Sequence, residues 1–87
     1  GTIINWQSFS IGSGSTTHFQ QQSALSAVLN RVIGNDASQI LGTLSSNGRV
    51  FLVNPHGIVF GQGSVINTAG LVASTLNISD ADFLAGR

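Results

Sequence analysis

The stretch Val50-Phe-Leu-Val-Asn-Pro-His-Gly-Ile-Val-Phe-Gly61 decides the fold. It contains two short runs of β-prone residues with a turn between them. In the turn, Asn54 can bond its own backbone, Pro55 presets φ at the second position, and Gly57 suits the fourth position of a type I turn. A hairpin is one possibility. Both runs, however, are apolar at successive positions, which is typical of strands covered on both faces or bending around a packed core.

The composition fits a neutral extracellular solenoid. The 87 residues are 41% hydrophobic, which predicts one small domain or a piece of a larger one. The absence of Cys excludes disulfides and thiolate metal sites, and a net charge of zero excludes the basic stripe that a nucleic-acid partner requires. We interpret Arg31 and Arg49 as surface charges that keep strand edges soluble. Ser, Thr, Asn and Gln together supply 31 residues, which suit turns and stacked hydrogen-bonding ladders.

Several segments resemble one known family, in that family's order. They are Gly1–Ile11, Leu29–Val32, Ser38–Gly42, Asn54-Pro55-His56-Gly57-Ile58 and 70–86. The five-residue turn resembles the Asn-Pro-Asn-Gly-Ile motif in the amino-terminal two-partner secretion domain, or haemagglutination activity domain, of the filamentous haemagglutinin family. His56 stands where the family usually has Asn. The resemblance implies a right-handed parallel β-helix at the head of a large secreted exoprotein, recognised by a partner transporter in the outer membrane.

The amino terminus begins abruptly. Gly1 leads directly into Ile3 and Ile4, with no basic segment followed by an apolar core, and no apolar run approaches the length of a membrane span. The family's Asn-Pro-Asn-Leu motif is also missing. We therefore expect residues 1–87 to be a partial two-partner secretion domain that lacks the start of the domain and any signal peptide.

Short strands and regularly spaced turns are predicted along the whole chain. The strands are expected at residues 2–7, 8–11, 16–20, 26–33, 40–44, 49–53, 58–60, 64–67 and 71–78. Residues 26–33 also fit a helical stripe, but their β-branched side chains favour a strand. A short terminal helix is predicted, with Ser79 as its cap, Asp82 at its third position and Gly86 at its end. At roughly 20 to 25 residues per repeat, the all-β parallel solenoid holds about four coils.

Three groups of side chains could carry chemistry, and each has a structural explanation. Asp80 and Asp82 could form a paired-carboxylate site, but a capped helix start accounts for their spacing. His18 and His56 could share a metal, but no third ligand lies near either of them. Trp6 could stack on a sugar, but its apolar neighbours indicate a core position, together with Phe9 and Ile11. We expect no catalytic residue, no metal and no cofactor.

Three classes of function follow from these observations. The first is a secretion and folding-nucleation module of a large adhesin-like exoprotein, captured in the periplasm by the accessory domains of an outer-membrane transporter. The exoprotein would reach the surface or surroundings of a Gram-negative bacterium. The alternative is a carbohydrate-dependent adhesion or haemagglutination module that binds host glycans and requires exposed aromatic residues. An enzyme of the pectate-lyase type would need clustered acidic or basic residues, and the chain has too few.

The turn Asn54-Pro55-His56-Gly57-Ile58 is the candidate recognition site. The family resemblance implies that this turn belongs to the surface that the transporter reads, with Asn54 holding the loop through side-chain to backbone bonding. A tight turn selected only for its geometry explains the same residues. The sequence leaves both interpretations open.

Overall fold

The computed structural model describes residues 1–86, which form nine short strands followed by one short helix. The strands are β1 (Thr2–Trp6), β2 (Thr16–Phe19), β3 (Ala27–Val32), β4 (Ser38–Ile40), β5 (Thr43–Ser46), β6 (Arg49–Val53), β7 (Ile58–Phe60), β8 (Val65–Asn67) and β9 (Gly70–Ser74). The helix α1 spans Asp80–Leu84. No helix in this part of the chain is long and apolar enough to cross a membrane.

The strands stack into three parallel sheets. Their orders are β1-β3-β6-β9, β2-β5-β8 and β4-β7, and every pairing is parallel. Val28, Val50 and Leu71 align across three of the strands, so one turn of the solenoid takes 22 and then 21 residues. The first turn is longer, since Thr2 aligns with Val28. The predicted parallel β-solenoid is confirmed, but four strands in the longest sheet enclose about three turns, not about four.

The longest sheet is covered on both of its faces. Its inner face contributes to the main core, whose buried members are Phe9, Ile11, Val28, Val32, Ile40, Leu44, Val50 and Leu52. Because side chains alternate along a strand, Leu29 and Val53 lie on the outer face, where they pack with Phe83 of α1. The two-sided cover predicted from residues 50–53 is therefore right. The second run is not covered on both faces, because Val59 in β7 is 54% exposed; Ile58 packs against the main core, in line with the alternative of a strand around a packed core.

Three predicted strands differ from the structure. Residues 8–10 form no strand, and Ile11 makes only an isolated bridge to Ile40. The strand expected at 40–44 is divided at Gly42, where a Cβ atom would collide with carbonyl oxygens of an adjacent loop. The strand expected at 71–78 ends at Ser74, because the Ser74 hydroxyl accepts a hydrogen bond from the Leu76 N–H at 2.9 Å and turns the chain.

Other local predictions agree with the structure. Residues 27–32 form a strand and not a helix. Ser79 caps α1, and its hydroxyl accepts a hydrogen bond from the Asp82 N–H at 3.1 Å. Trp6 is half-buried; its indole N–H donates to the side-chain oxygen of Asn30 at 3.0 Å. Asn30 itself is completely buried, which the sequence pattern did not predict.

The interpretation of Arg31 as a surface charge is wrong. Its side chain is only 14% exposed and forms an ion pair with Asp80 at 2.6 Å. The guanidinium also donates to Asn5, Asn77 and the backbone carbonyl of Ile78. Arg49 lies at an exposed position, as predicted.

Candidate recognition site at the corner between β6 and β7

The corner turns the chain from the longest sheet into the β4-β7 sheet. The Gly57 N–H donates to the Asn54 carbonyl at 3.0 Å, which closes a four-residue turn. Gly57 has a φ of 114°, a conformation that residues with a side chain rarely adopt. Its carbonyl accepts from the Ser38 N–H at 3.0 Å, and Ile58 pairs with Ser38. The corner is thus locked to the start of β4 in the preceding turn of the solenoid.

Asn54 lies inside the protein and is completely buried. Its side-chain oxygen accepts from the His56 N–H at 2.9 Å, so the predicted bond to the local backbone is present. Its side-chain amide donates to the Asp36 carbonyl at 2.9 Å and to the Ser38 hydroxyl at 3.0 Å. The Asn54 backbone N–H donates to the Ser74 carbonyl at 3.0 Å. One residue therefore connects three successive turns of the solenoid.

The rest of the motif forms an outer layer. Pro55 and His56 are exposed, whereas Gly57 and Ile58 are half-buried. Ile58 packs against the main core, so its side chain serves the fold. Exposed Asp36 belongs to the adjacent corner of the preceding turn. The motif is thus divided into a buried residue, Asn54, that holds the turn, and a small exposed patch formed by the side chains of Pro55 and His56.

The other side chains considered for chemistry lie elsewhere and have structural partners. His18, on β2, is hydrogen-bonded to Ser45 at 2.9 Å and to Gln20 at 3.1 Å. Trp6 packs edge-on against Phe9, with ring centroids 5.2 Å apart. Asp80 is paired with Arg31. Within residues 1–86, no group of three or more His, Cys, Asp or Glu side chains is placed to hold a metal ion.

Comparison with known proteins identifies the family. Residues 2–87 match the family model described as "TPS secretion domain". The chain belongs to this family. Its fold agrees, since the crystal structure of the HMW1 secretion domain from Haemophilus influenzae superposes with a TM-score of 0.94 at 49% identity, over 97% of this chain and 23% of that one.

Curated relatives give the same picture. Two heme/hemopexin-binding proteins of Haemophilus influenzae are 48% and 47% identical to the chain, over 77 and 75 residues. The matches cover 88% and 86% of this chain but only 8% of each relative. The chain therefore spans less than a tenth of the length of these two relatives. The family is a secretion module of exported proteins.

Proposed function

We propose that this TPS domain directs a large exoprotein to a partner transporter in the outer membrane and then starts the folding of that exoprotein outside the cell. The route leads through the periplasm of a Gram-negative bacterium to its surface or surroundings. The supporting observation is the divided corner, in which buried Asn54 joins three turns and exposed Pro55 and His56 face outward.

In this proposal, folding outside the cell drives export in one direction. Each turn buries its apolar face against the turn before it, as Ile40 does between Ile11 and Phe60. Burial of apolar surface is favourable and requires no nucleotide. Turns that form outside the cell would therefore favour movement of the chain through the transporter toward the outside. The exposed apolar residues of the last turn, such as Phe60 and Ile66, are suited to receive a further turn.

Our proposal also concerns the parent exoprotein. We propose that residues 1–87 are part of a longer secretion domain, in line with the share of the HMW1 domain that they match. An adhesin of the filamentous haemagglutinin kind remains our prediction for the whole protein. Stacking of a glycan on Trp6 is not supported, because the Trp6 ring packs against Phe9 and its N–H donates to Asn30.

The test is secretion of the full-length exoprotein with and without its partner transporter. We expect a double Pro55→Ala and His56→Ala variant to be released more slowly and to bind the purified periplasmic domains of the transporter more weakly. Gln62→Ala, at an exposed position of the next corner, is the matched control and should behave like the wild type. Normal release and normal binding of the double variant would refute recognition through the exposed side chains of this corner.

A further inference from the structure

The segment 75–86, which we call the strap, folds back over the outer face of the longest sheet. It leaves the sheet after Ser74 and carries α1. The Phe83 ring is buried and packs edge-on against Phe51, with ring centroids 5.2 Å apart. Ile78 joins the same apolar cluster. The strap therefore converts a sheet face that would be open to water into a second core.

Arg31 fastens the strap by its charge. Its guanidinium donates to the Ile78 carbonyl at 2.5 Å and to the Asn77 side chain at 3.0 Å, and it pairs with Asp80 at 2.6 Å. A fourth contact reaches Asn5 in β1 at 3.3 Å. The rigid fork of donors on an arginine suits several fixed acceptors at once, which a lysine cannot match. In a chain with only three Arg and three Asp, one of each is committed to this contact.

The order of the chain dictates when this contact can form. Arg31 lies in β3, and the strap begins directly after β9, whose Ser74 is aligned with Val53 of β6. Asn77 follows Ser74 by three residues, so pairing of β9 with β6 brings the strap within reach of Arg31. Ile78 and Phe83 also pack in one apolar cluster with Leu29 of β3 and with Phe51 and Val53 of β6, so these strands too must be in place before the strap docks.

We propose that the strap is a latch that closes after the third turn has formed, and that Arg31 is the positioning residue that locks it. This inference rests on the proposed secretion function. A closed latch joins β1, β3 and the strap across the outer face of the sheet, and so opposes unfolding from either side of the three turns. During export, closure makes the folding of the emerged domain harder to reverse.

The first experiment measures amide hydrogen exchange in the secreted full-length exoprotein. Arg31→Gln should speed exchange in residues 75–86 about tenfold, which corresponds to about 1.4 kcal/mol, while exchange in β3 and β6 stays near the wild-type rate. The expected tenfold change reflects the loss of hydrogen bonds to a charged group, reduced because Asp80 is exposed to solvent. Arg31→Lys should recover part of the protection, because it keeps the charge but not the fork.

Arg49→Gln is the matched control. Arg49 lies on the neighbouring strand β6, is exposed, and donates to the Leu25 carbonyl at 2.6 Å in a loop outside the strap. Arg49 borders the same outer-face cavity as Phe83, but glutamine keeps most of its aliphatic stem, so the variant should leave exchange in the strap nearly unchanged. Equal acceleration in the two variants, or equal acceleration in the strap and in the strands for Arg31→Gln, would overturn the latch.

The second experiment follows the rate of surface release in cells that carry the transporter. Arg31→Gln should slow release several-fold while the purified periplasmic domains of the transporter bind it normally. If the strap loosens but release keeps its wild-type rate, the role of the latch in export is overturned, and the proposed secretion function stands. Failure of the secretion function itself would appear in the corner variants, which do not touch the strap.

Discussion

Replacing Asn54 by Ala tests the corner most directly. The substitution removes three side-chain hydrogen bonds, of 2.9, 2.9 and 3.0 Å. At roughly 1 kcal/mol net for each bond, the loss is about 3 kcal/mol. The Ser38 hydroxyl is completely buried and loses a partner, which raises the cost, whereas His56 and Asp36 are exposed and can regain water at their backbone groups. We therefore expect a destabilisation of about 2 to 4 kcal/mol.

A matched control is available at another turn. Asn47 is exposed and exchanges two hydrogen bonds of 2.7 Å with the backbone of Gln21. Because water can replace both of these bonds, Asn47→Ala should cost about 1 kcal/mol or less. The measurement is equilibrium unfolding in urea of the complete secretion domain, followed by circular dichroism. A cost for Asn54→Ala no larger than that of Asn47→Ala would refute the reasoning.

A second variant separates the two functions of the Asn54 side chain. Asn54→Asp keeps the oxygen that accepts from His56 but replaces the amide that donates to Asp36 and Ser38. A buried carboxylate facing a carbonyl oxygen is unfavourable. We expect Asn54→Asp to be at least as destabilising as Asn54→Ala. Wild-type stability would show that the amide contacts to the preceding turn contribute little.

Three further substitutions are predicted from the same structure. Gly57→Val should destabilise the domain by about 1 to 3 kcal/mol, because φ is 114° there, and an unchanged urea midpoint would show that the turn can relax. His56→Asn, which installs the usual residue of the family motif, should change stability by less than about 0.5 kcal/mol because the side chain is exposed; a larger shift in the urea midpoint would contradict this. Phe83→Ala should cost about 3 kcal/mol through loss of the contact with Phe51, and near-neutral unfolding data would place the strap outside the cooperative fold.

The strands were predictable where local pattern decides them. Consecutive apolar residues at 50–53 indicated cover on both faces, and α1 and the core supply that cover. The pattern misled at Gly42, where the break is caused by carbonyl oxygens of residues 12 and 15, which approach only after the chain has completed a turn. It also misled at Arg31, whose partners Asn77 and Ile78 lie 46 and 47 residues away. Such contacts depend on the length of each turn, which short strand patterns do not fix.

The sequence also predicted only some of the contacts in the candidate site. The bond from Asn54 to the backbone of His56 spans two residues, so turn chemistry alone indicated it. The bonds to Asp36 and Ser38 span 18 and 16 residues and require the register of one solenoid turn on the next. A serine at the start of the apolar segment 38–42, 16 residues before the asparagine, is the sequence signal that could have indicated the bond to Ser38. Only the structure shows that the motif has an inner and an outer layer.

This layering changes what a secretion defect at Asn54 would mean. In the folded domain a transporter cannot touch the Asn54 side chain, which is completely buried, so a defect must then act through the shape of the corner. If the transporter instead captures the unfolded chain, the same side chain is accessible and can be read directly. The two cases differ in the behaviour of Pro55 and His56. If the transporter recognises the folded corner, substitutions of these exposed side chains slow release without changing the stability of the domain. If it recognises the unfolded chain, Asn54→Ala slows release even when a stabilising substitution elsewhere restores the urea midpoint.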